Sequence, residues 1–177
     1  HLMARAVELG NTVSFNTNAW LLTKKRVEAV AAAGVSIAYV SMDGASAETV
    51  DHSRGREGSW QKCMDAFDLF DAAKGPRVVV AAIVHGGNAH EVIPLYKFVR
   101  DRGYQLVVHP LYQNFGENKY DPSWYKNSPM WPEDPAPICE ALDFLIAERK
   151  RGGAVCNSVG QLAAIQRYYT APSAANG

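Results

Sequence analysis

Two stretches decide the fold: VSIAYVS at residues 35–41 and RVVVAAIV at residues 77–84. Both are nearly continuous apolar runs without polar alternation. That pattern belongs to strands covered on both faces, as in a parallel sheet. Outward from them lie two further β-rich runs, TVSFNTN at 12–18 and QLVVHPL at 105–111. Helical patterns fill the intervals. Thr23 is placed as an N-cap, with Leu22 and Val27 as a hydrophobic staple, and Gly34 as the stop. Ser59 is expected to cap a helix with the stripe Trp60, Cys63, Met64, Phe67 and Phe70, ended by Gly75-Pro76. Asn88 and Glu91 have the spacing of a capping box, although Pro94 would move the helix start nearer Ile93; Gly103 closes that helix. Strand and helix alternating at this spacing imply βαβ units, parallel strands and right-handed crossovers. The fold class is therefore α/β, a partial (β/α) barrel of parallel strands in sequential order with helices on one face.

The pattern divides the chain in three. Residues 1–111 form the partial barrel, 112–137 a long loop rich in Asn, Pro, Trp and Tyr, and 138–177 a helical linker segment with a loose tail. Asp134-Pro135 opens a helix with the stripe Ile138, Leu142, Leu145 and Ile146, and Ser158-x-x-Gln161 caps a last helix through Leu162, Ile165 and Tyr169. The first residues read as the tail of a helix and the chain opens with His1, so an upstream strand, lost or processed, is expected.

Eighteen Lys and Arg balance eighteen Asp and Glu, which leaves no electrostatic reason to expect nucleic acid or an anionic membrane surface as partner. Hydrophobic residues at 47% and aromatics at 10% exclude global disorder. No apolar run approaches the roughly 20 residues of a membrane span, and no signal peptide is visible, so a cytoplasmic protein is expected. Cys63, Cys139 and Cys156 lie far apart with no CxxC pair. They read as reduced thiols acting as small buried hydrophobes, with one auxiliary cluster ligand among them as the sharper alternative.

In parallel βα folds ligands bind at the carboxyl ends of the strands. Here those ends carry Asn16-Thr17-Asn18, Ser41-Met42-Asp43-Gly44, His85-Gly86-Gly87-Asn88 and His109-Pro110-Leu111-Tyr112, with Arg54 close behind on the loop after Gly44. Hydroxyls, amides and a carboxylate on one rim, with the Arg54 guanidinium behind them, suit a polar, zwitterionic small molecule, since Arg can grip a carboxylate through paired hydrogen bonds. Each piece also has a plainer reading: Asn18 as a strand end, Asp43-Gly44 as a turn, Arg54 and Arg56 as solvated loop charges. His85, His90 and His109 do not form a spaced ligand set. No P-loop, Gly-rich dinucleotide turn or Ser-His-Asp order is present. The Tyr and Trp run from 112 to 131 reads as loop packing, because no basic stripe accompanies it.

Taken together, the motifs resemble the radical S-adenosylmethionine (radical SAM) superfamily, and within it enzymes with a C-terminal cysteine-rich SPASM extension. Residues 16–23, NTNAWLLT, are similar to its TNG-x-LLT strand end, with Ala19 in place of Gly; VSMDG at 40–44 is similar to its SxDG end. DHSRGREGSW at 51–60 resembles the loop that follows, and Asn88 with Glu91 the N-x-x-E at the next helix. The stretch from 131 to 169 is similar to the helical segment before the SPASM cysteines. The resemblance implies a TIM-like half barrel. It implies that Ser41, Asp43 and Arg54 help to hold S-adenosylmethionine, that Thr17 and Asn18 line the same cleft, and that Leu111 lies near the adenine. It also implies a [4Fe-4S] cluster held by a CxxxCxxC loop and an adenosyl radical that modifies a peptide or small molecule. Those cluster cysteines, and the SPASM cysteines, are absent from the 177 residues, so the chain alone is expected to be inactive and to self-associate through an open sheet edge. The alternatives are a non-radical (β/α)-barrel acid–base enzyme using Asp43, His85 or His109, and a catalytically silent interaction fragment.

Overall fold

The computed structural model describes residues 1–113 and 121–172. A helix, α1 (Leu2–Glu8), leads into strand β1 (Ser14–Thr17), and the chain then alternates through α2 (Lys24–Ala32) and β2 (Ile37–Ser41). Two helices follow, α3 (Ala47–Arg54) and α4 (Ser59–Ala73), then β3 (Arg77–Val84), α5 (Val92–Asp101) and β4 (Gln105–Pro110). The last helices are α6 (Ala136–Lys150) and α7 (Val159–Thr170). The strands form one sheet in the order β1-β2-β3-β4, every neighbour parallel, as the apolar runs predict.

Strand periodicity sets the two faces of this sheet. Ala38, Val40, Val78, Val80, Leu106 and Val108 point into a buried core shared with the helices. Burying each large apolar side chain there stabilises the fold by about 1.5–3 kcal/mol. The alternate residues, among them Asn16, Tyr39, Ala81, Ile83, Val107 and His109, line the opposite face, which is open and forms the wall of a cleft.

Thr23 caps α2 by accepting the Arg26 amide, and Gly34 ends that helix at φ +73°, as expected. The next segment departs from the sequence reading. Arg54 is not on a loop: Ser46 Oγ accepts the Thr49 amide at 3.2 Å, and the helix α3 that it caps ends on Arg54 itself. Ser59 is not the cap of α4 either. Gly58 holds the N-cap position, and the Asp51 carboxylate reaches across from α3 to accept the amides of Gly58 and Trp60, both at 2.8 Å. Partial burial works against it, but these backbone donors hold the Asp51 carboxyl below its ordinary range, the Trp60 amide foremost. The capping box expected between Asn88 and Glu91 does not form; a short 3₁₀ turn, Ala89–Glu91, precedes α5 instead. Pro94 falls within the first turn of α5, where an amide N–H has no intrahelical acceptor to lose.

The segment read as a helical linker packs on the same core: Ile138, Leu142, Leu145, Leu162 and Tyr169 are buried in it. Ser158 and Gln161 make the capping box of α7. Between these helices the chain runs beside β4. The Leu106 amide donates to Ala154 O at 2.8 Å, and the Cys156 amide to Leu106 O at 2.7 Å. Asn157 extends the ladder with its side chain, accepting the Val108 amide at 2.8 Å and donating to Val108 O at 3.0 Å. In the long loop, Trp131 packs against Tyr125 and Tyr169, each at 4.9 Å between ring centroids, so these aromatics are packing residues. Residues 114–120 of that loop and 173–177 of the expected loose tail lie outside the described residues.

Candidate functional site

The carboxyl ends of the parallel strands meet at one rim, where two adjoining clefts lie beside a third, about 340 Å³, lined by Ser46, His85 and Glu91. The larger, about 490 Å³, lies on the open sheet face between Asn16, Tyr39, Ile83 and His109. The smaller, about 280 Å³, is bounded by Asn18, Trp20, Arg56 and Cys63. Ser41 and Arg54 line both. These two are therefore the residues around which a ligand spanning the clefts would be held.

Arg54 is largely buried and is fixed at one end. Its Nη2 donates to Asp43 Oδ2 at 2.8 Å, with Asp43 itself buried. Asp43 Oδ2 also accepts from Ser53 Oγ at 2.7 Å, and Oδ1 accepts the Ile83 amide at 2.8 Å. The carboxylate is thus committed to protein partners on both oxygens. The Nε–H of Arg54 is buried and has no hydrogen-bond partner among the described residues. A buried donor without a partner is costly, and an anionic oxygen entering beside it would relieve that cost.

The β2 turn that carries Asp43 is held from the β3 side. Asn88, fully buried, accepts the His85 amide at 2.8 Å and donates to the carbonyls of Asp43 and Ile83, both at 2.7 Å. Glu91 accepts the amides of Ala45 at 2.5 Å and Ser46 at 3.0 Å, and the Ser46 hydroxyl at 2.5 Å. Partial burial pushes the Glu91 carboxyl up, but the Ser46 hydroxyl and the two amides together outweigh it and hold it below its ordinary value. Gly44 lies beneath this carboxylate; a Cβ there would stand 2.5 Å from Glu91 Oε2 and from Thr49 Cγ2.

At the end of β1, Thr17 Oγ1 accepts the Ala19 amide at 3.0 Å and Asn18 Oδ1 accepts the Trp20 amide at 3.3 Å. These local bonds fold the chain through Ala19, which adopts φ +67° although it is not glycine. Trp20 then carries the Arg56 guanidinium over its ring. At the far side, both backbone polar groups of Leu111 are bound by α7: its amide donates to Tyr169 Oη at 2.6 Å, and its carbonyl accepts from Tyr168 Oη at 2.9 Å. Tyr169 also donates to Val84 O at 2.5 Å, joining the ends of β3 and β4.

Of the site residues expected from sequence, Ser41 and Arg54 sit in both clefts and Asn18 in the smaller. Thr17, Asp43 and Leu111 shape the rim from behind. Sequence reasoning did not single out Trp20, Asn88, Glu91 or Tyr169 for these contacts. Asn88 and Glu91 carried a signal, their spacing, but it pointed to a helix cap rather than to the neighbouring turn.

Desolvation pushes all three thiols up, Cys63 to about 11, and the three residues lie on separate segments of the chain. Among the described residues no group of three or more His, Cys, Asp or Glu side chains could hold a metal ion. The described residues therefore do not fit an iron–sulfur cluster. No helix among them is long and apolar enough to cross a membrane.

Comparison with known proteins agrees with this architecture. The sequence model described as the radical SAM superfamily matches residues 1–99. An AdoMet-dependent heme synthase of Methanosarcina barkeri is 32% identical over 96 residues, covering 54% of this chain and 27% of its own. A PqqA peptide cyclase of Methylocella silvestris is 27% identical over 117 residues, covering 65% of this chain and 31% of its own. The crystal structure of Streptococcus suis SuiB bound to S-adenosylmethionine superposes with a TM-score of 0.64 at 15% identity, over 93% of this chain and 37% of that one. The chain thus spans about a third of the length of these proteins.

Proposed function

The chain belongs to the radical SAM superfamily, and from that membership we propose that its rim holds S-adenosylmethionine across Ser41 and Arg54. The observation that carries this is the place of Arg54: it lines both clefts, and its buried Nε–H has no protein partner. Asp43 takes Nη2, which leaves the Nε side of the guanidinium to receive the methionyl carboxylate by a charge-assisted bond. Ser41 offers a neutral hydroxyl for a ribose oxygen. Asn18 bounds the smaller cleft, and Leu111, packed on the core with its backbone held by two tyrosines, supports the rim from behind. Ile83 and Val107 give the larger cleft an apolar stretch of wall between its polar residues.

S-adenosylmethionine held there would supply hydrogen-abstraction chemistry only with an electron from a [4Fe-4S] cluster, which the described residues do not hold. The role proposed for this chain is confined to binding and orienting that cofactor, because the described residues contain no ligand set for the [4Fe-4S] cluster of this family. A peptide or small molecule modified in the cytoplasm is the proposed substrate; the similarity to a peptide cyclase favours the peptide. The SPASM assignment remains part of the same proposal. An acid–base barrel enzyme would need Asp43, His85 or His109 as proton carrier. Asp43 is committed to Ser53, Arg54 and Ile83, and His85 Nδ1 accepts the Gly87 amide at 3.1 Å.

Calorimetric titration of S-adenosylmethionine into the chain tests the proposal. Saturable binding that weakens roughly ten- to a hundredfold in Arg54→Ala is expected, and absence of binding by the parent chain would refute it.

A further inference from the structure

We infer that Asn88 and Glu91 are positioning residues, which fix the Arg54 guanidinium in the cleft through the Asp43 turn. The inference rests on the reading of Arg54 as the anion-binding group of the rim. Arg54 sits at the last turn of a helix, where a long side chain has many rotamers. One of its ends is tied to Asp43, at 2.8 Å. Asp43 can hold it in place only as well as the β2 turn is held. Two side chains from the β3 loop do that holding. Asn88 bonds the Asp43 carbonyl and, with the same amide nitrogen, the Ile83 carbonyl, so that it bridges the ends of both strands. The Asp43 carboxylate closes the ring by accepting the Ile83 amide. Glu91 takes the two amides just beyond Gly44 and the Ser46 hydroxyl that caps α3, the helix on which Arg54 rides.

Two further features agree. Gly44 leaves room for the Glu91 carboxylate where a methyl group would stand at 2.5 Å. Asn88 is fully buried and shares its side-chain amide among three backbone groups, so its orientation is fixed. Neither residue lines the two clefts that Arg54 faces. Their influence on a ligand there is indirect, through the Asp43 turn and, for Asn88, also through Ile83.

The test separates positioning from general stability. The Nε–H resonance of Arg54 is followed by ¹⁵N NMR in the parent chain, in Asn88→Ala and in the milder Glu91→Gln, without ligand. S-adenosylmethionine affinity is then measured for each variant in the presence and absence of Arg54→Ala. The expected result is a displaced or broadened Arg54 signal, and about tenfold weaker binding that disappears in the Arg54→Ala background, as for coupled neighbours. Equal losses in both backgrounds, or an unmoved Arg54 signal in both variants, would overturn the inference. If Asn88→Ala does not fold, Glu91→Gln decides alone. If the parent chain binds no S-adenosylmethionine, the cofactor reading fails and this inference with it. If the parent binds but Arg54→Ala binds equally well, the inference fails while the family assignment stands.

Discussion

Arg56 lies over the Trp20 ring, with its guanidinium carbon 3.3 Å from the ring centroid. That stacking occupies the face of the cation, whereas Arg54, two residues earlier, lines both clefts and has a buried Nε–H without a partner among the described residues. The two arginines of one short segment therefore have different work.

The difference is measurable. Arg54→Ala is expected to lose a charge-assisted hydrogen bond worth about 1.5–3 kcal/mol, or roughly ten- to a hundredfold in affinity for S-adenosylmethionine. Arg56→Ala removes a cation–π contact of about 0.5–1 kcal/mol at an exposed site and should cost much less. Ser41→Ala should fall between them at about 0.5–1.5 kcal/mol. Titration of the three variants would decide, and equal affinities for Arg54→Ala and Arg56→Ala would remove the reason for assigning the anion to Arg54.

Ala19 offers a test of backbone strain. Its φ of +67° is a conformation that costs an L-residue about 1–2 kcal/mol, and its amide is bound by Thr17 Oγ1. Ala19→Gly removes that strain while adding freedom to the unfolded chain, worth about 0.4–1 kcal/mol in the other direction. Ala19 is also buried in the core, and losing its methyl group costs about 0.8 kcal/mol more. These terms nearly cancel, so a change within about 0.5 kcal/mol is expected in urea unfolding, and a loss of more than about 1 kcal/mol would show that the turn is unstrained.

Much of this architecture was legible because burial leaves a simple pattern. RVVVAAIV could only be a covered strand, and its bounds are those of β3. Thr23 and Ser158 cap where expected because their side chains meet only their own first turns. The failures share another cause. Asp51 caps α4 from seven and nine residues away, Glu91 and Asn88 bind a turn some 45 residues upstream, and Tyr169 bonds Val84 and Leu111. Each is a polar side chain whose partner is set by the packing of other elements, and no local spacing encodes it. Arg54 and Ser41 were found as rim residues because strand ends in parallel folds converge; that Asp43 would face Arg54 rather than a ligand was not legible, since turn and ligand roles ask for the same residue.

The edge of the sheet gives a prediction about association. β1 is an outer strand with no further partner among the described residues, and Leu2, Leu9 and Leu21 are exposed nearby at 86%, 64% and 73%. An open edge beside apolar side chains is a template for pairing with another chain. Sedimentation of the 177-residue chain should show concentration-dependent association, weakened by Leu9→Lys together with Leu21→Lys. A monodisperse monomer throughout the accessible concentration range would remove self-association from the account.

His85 sets a pH dependence whose sign follows from its surroundings. It is buried, Nδ1 accepts the Gly87 amide, and the proton therefore sits on Nε2, which has no partner among the described residues. Desolvation is the main force lowering its pKa from 6.5; the Asp43 carboxylate opposes it, and His52 adds to it. In the unfolded chain the same imidazole takes up a proton below 6.5, so the unfolded state binds more protons than the native state in that window. Stability is complete above the unfolded value and falls as the pH drops from there through the lower folded value, by at most about 1.4 kcal/mol per pH unit. His85→Gln keeps a side-chain acceptor for the Gly87 amide but cannot titrate. Urea unfolding at about pH 7.5 and about pH 5.5 should show the parent chain losing more stability on acidification than the variant. Equal losses would mean that His85 is charged in the folded state, and the neutral buried imidazole described here would be wrong.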